Sequence, residues 1–516
     1  MPRTCPSTSS PYLAAVDLGS NSFHLLVAKN QDGQLLFDEK HRAKTELAAG
    51  LDEQGYLQDH ALESAFACLT QFSQVLKTKP DVKVRALGTK TLRDAQNLAV
   101  FLQRAETILG HPIEVISGRE EARLIYLGAA KAIPQDASTQ LVVDIGGGST
   151  EVIVGENHYP KHLSSLSMGC VVYRQRFFAD GHITTAAMAK AQAAAYAELL
   201  SIRDNYLAST WQVAVASSGT AQTIASVLFA IGLAPEHLIT REALWRLKDI
   251  VIAENCLTTL TLPGLEPERA AILPAGVAIL CAVFAAFGLE AVHYVEGALR
   301  EGILYDMQLR LGELDPREHS IDALCKRFAL TQQANTPIIG LLNTHLGALT
   351  NQWRISKEQQ HFLRWATQTR ELGLTVAKHQ YQKHGAYFLQ TADIAGFSRQ
   401  EQQYLAFLVE AQRSEFPMAT WLKLPPSQQL VWGQAAIIFR LALLQHLARE
   451  HCEKIEIKAL SSHELQLSIW VPTSSTCDNH TLWEQLMERE RHALRNSPFK
   501  LNYIINKGAT PSAAVK

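Results

Sequence analysis

The sequence is nearly without net charge: 48 Lys and Arg stand against 50 Asp and Glu in 516 residues, a formal charge of -2. This excludes a global polycation, so a strongly acidic ligand has to be met by local donor arrangements and not by an overall basic field. No C-x-x-C pair occurs among the eight cysteines (Cys5, Cys68, Cys170, Cys256, Cys281, Cys325, Cys452 and Cys477). A chain of this size needs no disulfide staples, so they read as reduced thiols. The N-terminal MPRTCPSTSSPY lacks the apolar stretch of a secretion signal. The most apolar run, AILCAVFAAFGL at 278–289, is too short to cross a bilayer and reads as a core helix. The expectation is a soluble cytoplasmic protein with no transmembrane segment.

What is present is enough apolar material, 47% of the residues, to fill more than one core. The first stretch alternates short apolar strands with turns: LAAVD, FHLLVA, a turn at Asp32-Gly33, then QLLFDEKH. Strand and helix patterns follow in turn, with HALESAFACLTQFSQVL and TLRDAQNLAVFLQRAETIL as helices and VKVRALG and IEVIS as strands. A second α/β block opens at LVVDIGGGSTEVIVG. Past about residue 312 helices dominate, and KIEIKALSSHELQLSIWV then reads as a hairpin followed by a charged helix. The predicted division is a disordered N-terminus (1–11), two α/β lobes (12–130 and 131–311), a helical domain (312–450) and a small α+β domain (451–516).

The openings of the two α/β blocks repeat each other. AAVDLGSNSFHLLVA at 14–28 and LVVDIGGGSTEVIVG at 141–155 both run apolar strand, Asp, Gly and small residues, apolar strand. Such a turn aims backbone N–H groups at one point and leaves no side chains to obstruct an oxyanion, while the adjacent Asp can hold a hard cation such as Mg2+. Ordinary hairpin turns with solvated carboxylates are the alternative, less economical for two copies at equivalent places. The residues therefore indicate a phosphate ligand between two related lobes. Asp17, Gly19, Ser20, Asn21 and Ser22 lie on one side, and Asp144, Gly146, Gly147, Gly148, Ser149 and Thr150 on the other. A third small-residue loop holding Ser218 and Gly219 precedes a helix and adds N–H groups or an N-cap.

Taken in order, AAVDLGSNSFHLLVA, GTKTLRDAQN, ISGREEARLIYLG, LVVDIGGGSTEVIVG, SMGCVVYRQRFF, ASSGT and EGALREGILY resemble the exopolyphosphatase and guanosine pentaphosphate phosphohydrolase family over residues 12–310. The layout of the remainder resembles the long, four-domain form of that family. The resemblance implies duplicated ribonuclease H-like lobes of the actin, sugar-kinase and chaperone ATPase type, followed by a helical HD-like domain. It also implies Glu121 as the base that activates water, Arg93 as a clamp on the transferred phosphate, and Asp17, Asp144 and Glu151 as the residues that place Mg2+. Arg300 is a phosphate contact or a salt-bridge partner. Glu120, beside Glu121, projects about 100° away on a helix, so one of the two faces the cleft.

One departure stands out. WATQTRELGL puts Arg370 where the family's HD-like domain has a His, and a permanently protonated guanidinium cannot ligate a metal. The helical region then lines a channel or supports a homodimer.

The leading expectation is Mg2+-dependent release of terminal orthophosphate from inorganic polyphosphate. The close alternative is conversion of guanosine pentaphosphate to the tetraphosphate by the same chemistry. A sugar kinase or chaperone-like ATPase would lack the paired SGREEA and TLRD motifs, and a non-catalytic sensor would not need all four acids. No nucleic-acid partner is expected, and peripheral membrane attachment stays open.

Overall fold

The computed structural model describes residues 12–31, 33–131, 139–156, 159–207, 210–311, 315–333, 335–472 and 478–507. The expected disordered N-terminus, Cys5, Asp32 and Cys477 lie outside the described residues. The six described cysteines are free thiols. The chain divides into two compact units, Met1–Pro316 and Arg317–Lys516.

The first unit contains two sheets. Strands β1 (Tyr12–Leu18), β2 (Ser22–Gln31), β3 (Gln34–Lys44), β4 (Lys83–Gly88) and β5 (Ile113–Val115) form a five-stranded sheet in the order β3-β2-β1-β4-β5. Strands β6 (Thr139–Ile145), β7 (Thr150–Glu156), β8 (Tyr159–Leu166), β9 (Val213–Ser217), β10 (Leu238–Thr240) and β11 (Ala291–Tyr294) form a six-stranded sheet in the order β10-β11-β9-β6-β7-β8. Setting aside the edge strand β10, the second order repeats the first. The duplication seen in two sequence motifs therefore extends to whole lobes. In both, the Asp-bearing strand is central, antiparallel to the strand after the turn and parallel to the next (β1 with β4, β6 with β9). Central strands buried on both faces need near-continuous apolar runs, which LAAV and LVV supply.

The lobes share a core. Leu13 and Leu26 of the first sheet, Val142 and Ile153 of the second, and Leu299 and Ile303 from the helix Leu299–Leu311 belong to one buried cluster. That helix, the last expected of lobe II, packs against β1 and β2 of lobe I. The apolar run 278–289 lies in the helix Leu273–Phe287 and its extension, buried along almost its whole length, as expected of a core helix.

The single helix expected over TLRDAQNLAVFLQRAETIL is two, Lys90–Asp94 and Leu98–Leu109. Between them the Gln96 N–H donates to the Gly55 carbonyl, and the Asn97 amide exchanges hydrogen bonds with both backbone groups of Leu57. Distant backbone outcompetes helix continuation there.

In the second unit, helices and the three-stranded sheet of β12 (Lys454–Ala459), β13 (Glu464–Val471) and β14 (Lys500–Lys507) share one apolar core running from Ile321 to Leu501. The boundary expected near residue 450 thus separates a sheet from helices, not one core from another. The helix Pro426–Leu447 is long and apolar enough to cross a membrane, yet most of it is buried in this core. It also carries Arg440, which pairs with Glu490 at 2.9 Å.

Candidate active site

A cleft of about 370 Å³ opens in the first unit beside the ends of the two central strands. Asp17 and Asp144 each sit one residue from the end of such a strand. The turn after β1 brings Gly19, Ser20, Asn21 and Ser22 to the cleft, and the turn after β6 brings Gly146, Gly147, Gly148 and Ser149. Glu121, Glu151, Ser218, Gly219 and Arg300 complete the predicted residues that line it. Two predicted residues do not. Thr150 is fully buried and donates its hydroxyl to the Met168 carbonyl at 2.5 Å. Arg93 donates to the Glu121 carboxylate at 2.8 Å and to the Ile116 carbonyl at 2.9 Å, so it grips Glu121 instead of reaching the cavity.

The glycine triplet has a steric reason as well as an electrostatic one. A Cβ on Gly148 would lie 2.9 Å from the Ser20 hydroxyl and 3.2 Å from Lys90 Cγ, and one on Gly147 would lie 3.2 Å from Ser20 Cβ. The two turns are therefore in contact across the lobes, and bare backbone is what lets them meet. None of the three glycines has positive φ. The Gly146 and Gly147 carbonyls accept from the N–H groups of Cys170 and Val171, at the start of the helix Cys170–Phe177. Among the described residues no backbone acceptor takes the Gly147 or Gly148 N–H, which leaves both for an oxyanion.

The acids are buried without cations of their own. Burial pushes the Asp17 carboxyl up to about 7, with Arg300 opposing and Glu121 and Asp144 adding to the rise. Its Oδ1 has no hydrogen-bond partner, and neither does the buried Ser22 hydroxyl. Burial brings Asp144 to about 6 even though it accepts from the Ser217 hydroxyl at 2.6 Å. Glu151, which accepts from Ser165 at 2.7 Å, is raised well above the usual carboxylate range by burial and then by Glu121 and Asp144. A buried acid that accepts a proton so readily is a charge waiting for a counter-ion.

Glu120 and Glu121 part company as helix geometry requires. Glu121 faces the cleft, while Glu120, on the same helix Gly118–Ala130, does not line it and pairs with Arg123 at 2.8 Å.

Several cleft residues escaped the sequence reading: His24, Arg42, Lys40, Thr89, Gln222 and Arg269. Some of them were legible in the strand alternation. Asp17 is in register with His24, and His24 with Arg42, so these three side chains lie in a row across β1, β2 and β3. Arg300 donates to His24 Nδ1 at 3.1 Å. Burial, then Arg300, Arg42, Arg269 and Lys40, drive that imidazole down to about 2, so it is neutral and carries its proton on Nε2. Arg269 comes from the short helix Pro267–Ala270, which no motif announces. It lies across Gly219, where a Cβ would fall 2.1 Å from its Nη2. Burial and the neighbouring Arg42 lower the Arg269 guanidinium, and neither arginine has an ion-pair partner among the described residues. Ser218 opens its helix at φ 86, a left-handed strain for a non-glycine residue held at the cleft wall.

The cleft thus has an acidic floor, free N–H groups and a cationic side. Among the described residues no three His, Cys, Asp or Glu side chains converge to enclose a metal alone. A Mg2+ that takes one or two carboxylates and completes its shell from water and phosphate fits this donor set, and the orphaned Asp17 oxygen is the clearest place for it.

The chain belongs to the Ppx/GppA phosphatase family, whose sequence profile matches residues 26–311, with the family's domain III matching residues 317–491. It is 36% identical over 500 residues to a guanosine-5'-triphosphate,3'-diphosphate pyrophosphatase of Aeromonas hydrophila subsp. hydrophila, covering 96% of this chain and 99% of the relative. A protein of the same name from Vibrio cholerae serotype O1 is 38% identical over 410 residues, 79% of this chain and 82% of that one. Among solved structures, an exopolyphosphatase from Cytophaga hutchinsonii aligns with TM-score 0.52 and 24% identity over 58% of this chain and 97% of its own. The Aquifex aeolicus Ppx/GppA family member aligns with TM-score 0.51 and 24% identity over 59% of this chain and 100% of its own. These structures support the two-lobed fold. The helical unit belongs to the family's domain III, while its HD-like character is not carried by any of these likenesses. Arg370, at the expected His position, bonds to Asn335, to the Thr367 carbonyl and to Glu371.

Proposed function

We propose that this phosphatase removes the terminal 5'-phosphate of guanosine pentaphosphate in the cleft of the first unit. The observation that carries this reading is likeness over nearly the whole chain to relatives named for that substrate, whereas the exopolyphosphatase structures cover little more than half of it. This reverses the order of preference drawn from motifs alone, which could not separate the two substrates. The unpaired Arg42 and Arg269 also suit a nucleotide bearing more than one phosphate group.

The terminal phosphoryl group would sit against the Gly147 and Gly148 N–H groups and the turn of Gly19 to Ser22. Glu121, held by Arg93, would take a proton from the attacking water as its oxygen bonds to phosphorus. The phosphoanhydride P–O bond then breaks, giving orthophosphate and the tetraphosphate. Phosphoryl transfer needs little covalent help, so positioned donors such as Arg300 and the loop amides supply most of the catalysis by meeting the charge that develops. Mg2+, held by Asp17 and Asp144 with Glu151 behind them, would supply neutralisation of phosphate charge when bound.

The test is orthophosphate release from guanosine pentaphosphate and from long-chain polyphosphate, with Mg2+ and with EDTA, for the parent and Glu121→Gln. Turnover of polyphosphate alone would return the reading to its alternative. A Glu121→Gln variant as fast as the parent would remove the assigned base.

A further inference from the structure

Behind the cleft lies a buried ionic cluster that no step above uses. Asp306 is fully buried on the helix Leu299–Leu311 and accepts from Arg85 Nη1 at 2.5 Å, from Arg123 Nη2 at 2.5 Å and from Arg310 Nε at 2.7 Å. Arg123 also forks onto Glu120 through Nε and Nη2, both at 2.8 Å. Arg85, on β4, further contacts Glu114 on β5 at 3.1 Å. Among the described contacts, three guanidiniums thus face the three carboxylates of Asp306, Glu120 and Glu114. Burial would raise the Asp306 carboxyl, but Arg123, Arg310 and Arg85 outweigh it and hold the group ionised.

The same two helices meet at two glycines. A Cβ on Gly128 would lie 2.0 Å from the Ala298 carbonyl, and one on Gly302 would lie 1.8 Å from the Leu124 carbonyl. Residue 128 therefore meets 298, 124 meets 302 and 123 meets 306, so the helices run antiparallel with their backbones in contact. One carries Glu121 in its first turn and the other carries Arg300 in its first turn, and both side chains reach the cleft. The glycines permit the close approach, but smooth backbone contact leaves a pair free to slide along its length. The directional bonds of Asp306 to Arg123 fix the register.

We propose that Asp306 is a positioning residue for the reaction: through Arg123 and Arg85 it locks the helix bearing Glu121 to the helix bearing Arg300 and to the lobe I sheet. The spacing of base and phosphate donor is thereby fixed. This rests on Glu121 being the base. A displacement of about an ångström in a reacting group costs on the order of a hundredfold in rate, so the effect falls on turnover and not on substrate capture.

The experiment compares the full-length parent with Asp306→Asn and with the charge-balanced pair Glu120→Gln/Arg123→Met, which keeps the test open should Asp306→Asn fail to fold. Leu69→Ala, in the lobe I core away from the cleft, is the stability control. Each is assayed on guanosine pentaphosphate with Mg2+ for kcat and KM per folded molecule, and by hydrogen exchange in the helix Gly118–Ala130. The expected result is a kcat lower by roughly 10- to 100-fold with KM within about twofold, and faster exchange in that helix. Leu69→Ala should keep kcat despite a comparable fall in Tm. The proposal is overturned if the network variants keep parental kcat, or if Leu69→Ala loses turnover to the same degree. Glu121→Gln is run alongside: if it is inactive while the network variants are not, positioning fails alone, and if it is active the base assignment itself has failed.

Discussion

In the cleft of the first unit, Asp144, Glu151 and the Oδ1 of the partly buried Asp17 are shut off from solvent with no ion-pair partner among the described residues, whereas in the second unit the buried guanidiniums of Arg317, Arg370 and Arg440 each meet a carboxylate. Both places remove charge from water, yet the cleft leaves these three acids without the compensation that the second unit's interior supplies, and that the first unit itself supplies around Asp306. An unpaired buried carboxylate costs folding energy and is tolerated where a ligand brings the missing charge. A paired one, with its remaining hydrogen bonds satisfied, holds packing in place. The contrast marks the first unit's cleft as a place of chemistry and the second unit's interior as scaffold. Arg370 makes the point locally: it fills the place expected of a metal-binding His with three hydrogen-bond partners.

The sharpest way to break this contrast is at Glu121. Glu121→Gln keeps the shape and removes the proton acceptor, so kcat should fall roughly 10²- to 10⁴-fold with KM little changed. Steady-state phosphate release checks it, and a smaller effect on kcat than on KM would assign Glu121 to binding.

Next in size is the opposite case in the second unit. Arg440 donates to both Glu490 oxygens and to the carbonyls of Ala411 and Ser414. Arg440→Met strands these acceptors and should cost about 3–5 kcal/mol in urea unfolding. Turnover per folded molecule should be unchanged, since no cleft residue is touched. Loss of turnover in the folded fraction would show that the second unit does more than scaffold. Smaller again is the expected effect at Arg269. Arg269→Ala should raise KM for guanosine pentaphosphate roughly 10- to 100-fold, the worth of one charge-assisted contact, with kcat nearly retained.

The sequence made the floor of the cleft legible and its walls much less so. Asp17 and Asp144 could be found because strand, turn and strand are adjacent in the chain, and the repeat of that local pattern carried the lobe duplication with it. The row Asp17, His24, Arg42 was also readable, from alternation across neighbouring strands. Arg93 was identified as important, but its grip on Glu121 depends on where the helix Gly118–Ala130 docks, which no local pattern specifies. Arg269, on a four-residue helix, gave no signal at all. The break at Gln96 and Asn97 and the shared core across residue 450 failed to show for one reason. Each is set by partners distant in the chain, the backbone of Gly55 and Leu57 in one case and the helical core in the other.

The smallest expected effect tests the contrast most directly, because it predicts that removing an active-site charge stabilises the protein. The Asp17 carboxyl is raised to about 7 from an ordinary 3.8, mainly by burial. Between those values the folded chain holds a proton that the unfolded chain has released, so stability falls as pH rises through this window. In EDTA, Asp17→Asn should therefore melt a few degrees above the parent at pH 8, and the gap should close as pH falls to 3.8 and below, where both states of the parent become protonated. Mg2+ reverses the order. At pH 8 it meets an ionised, partnerless Asp17 and should raise the parental Tm, while at pH 5 it competes with the proton and should raise it less. Asp17→Asn should gain little from Mg2+ at either pH. Calorimetric melts of both proteins, with EDTA and with Mg2+ at pH 5 and pH 8, read all four corners. A variant that is less stable than the parent in EDTA at pH 8 would mean that the carboxylate is compensated within the fold. The cleft would then be handling buried charge as the second unit's interior does.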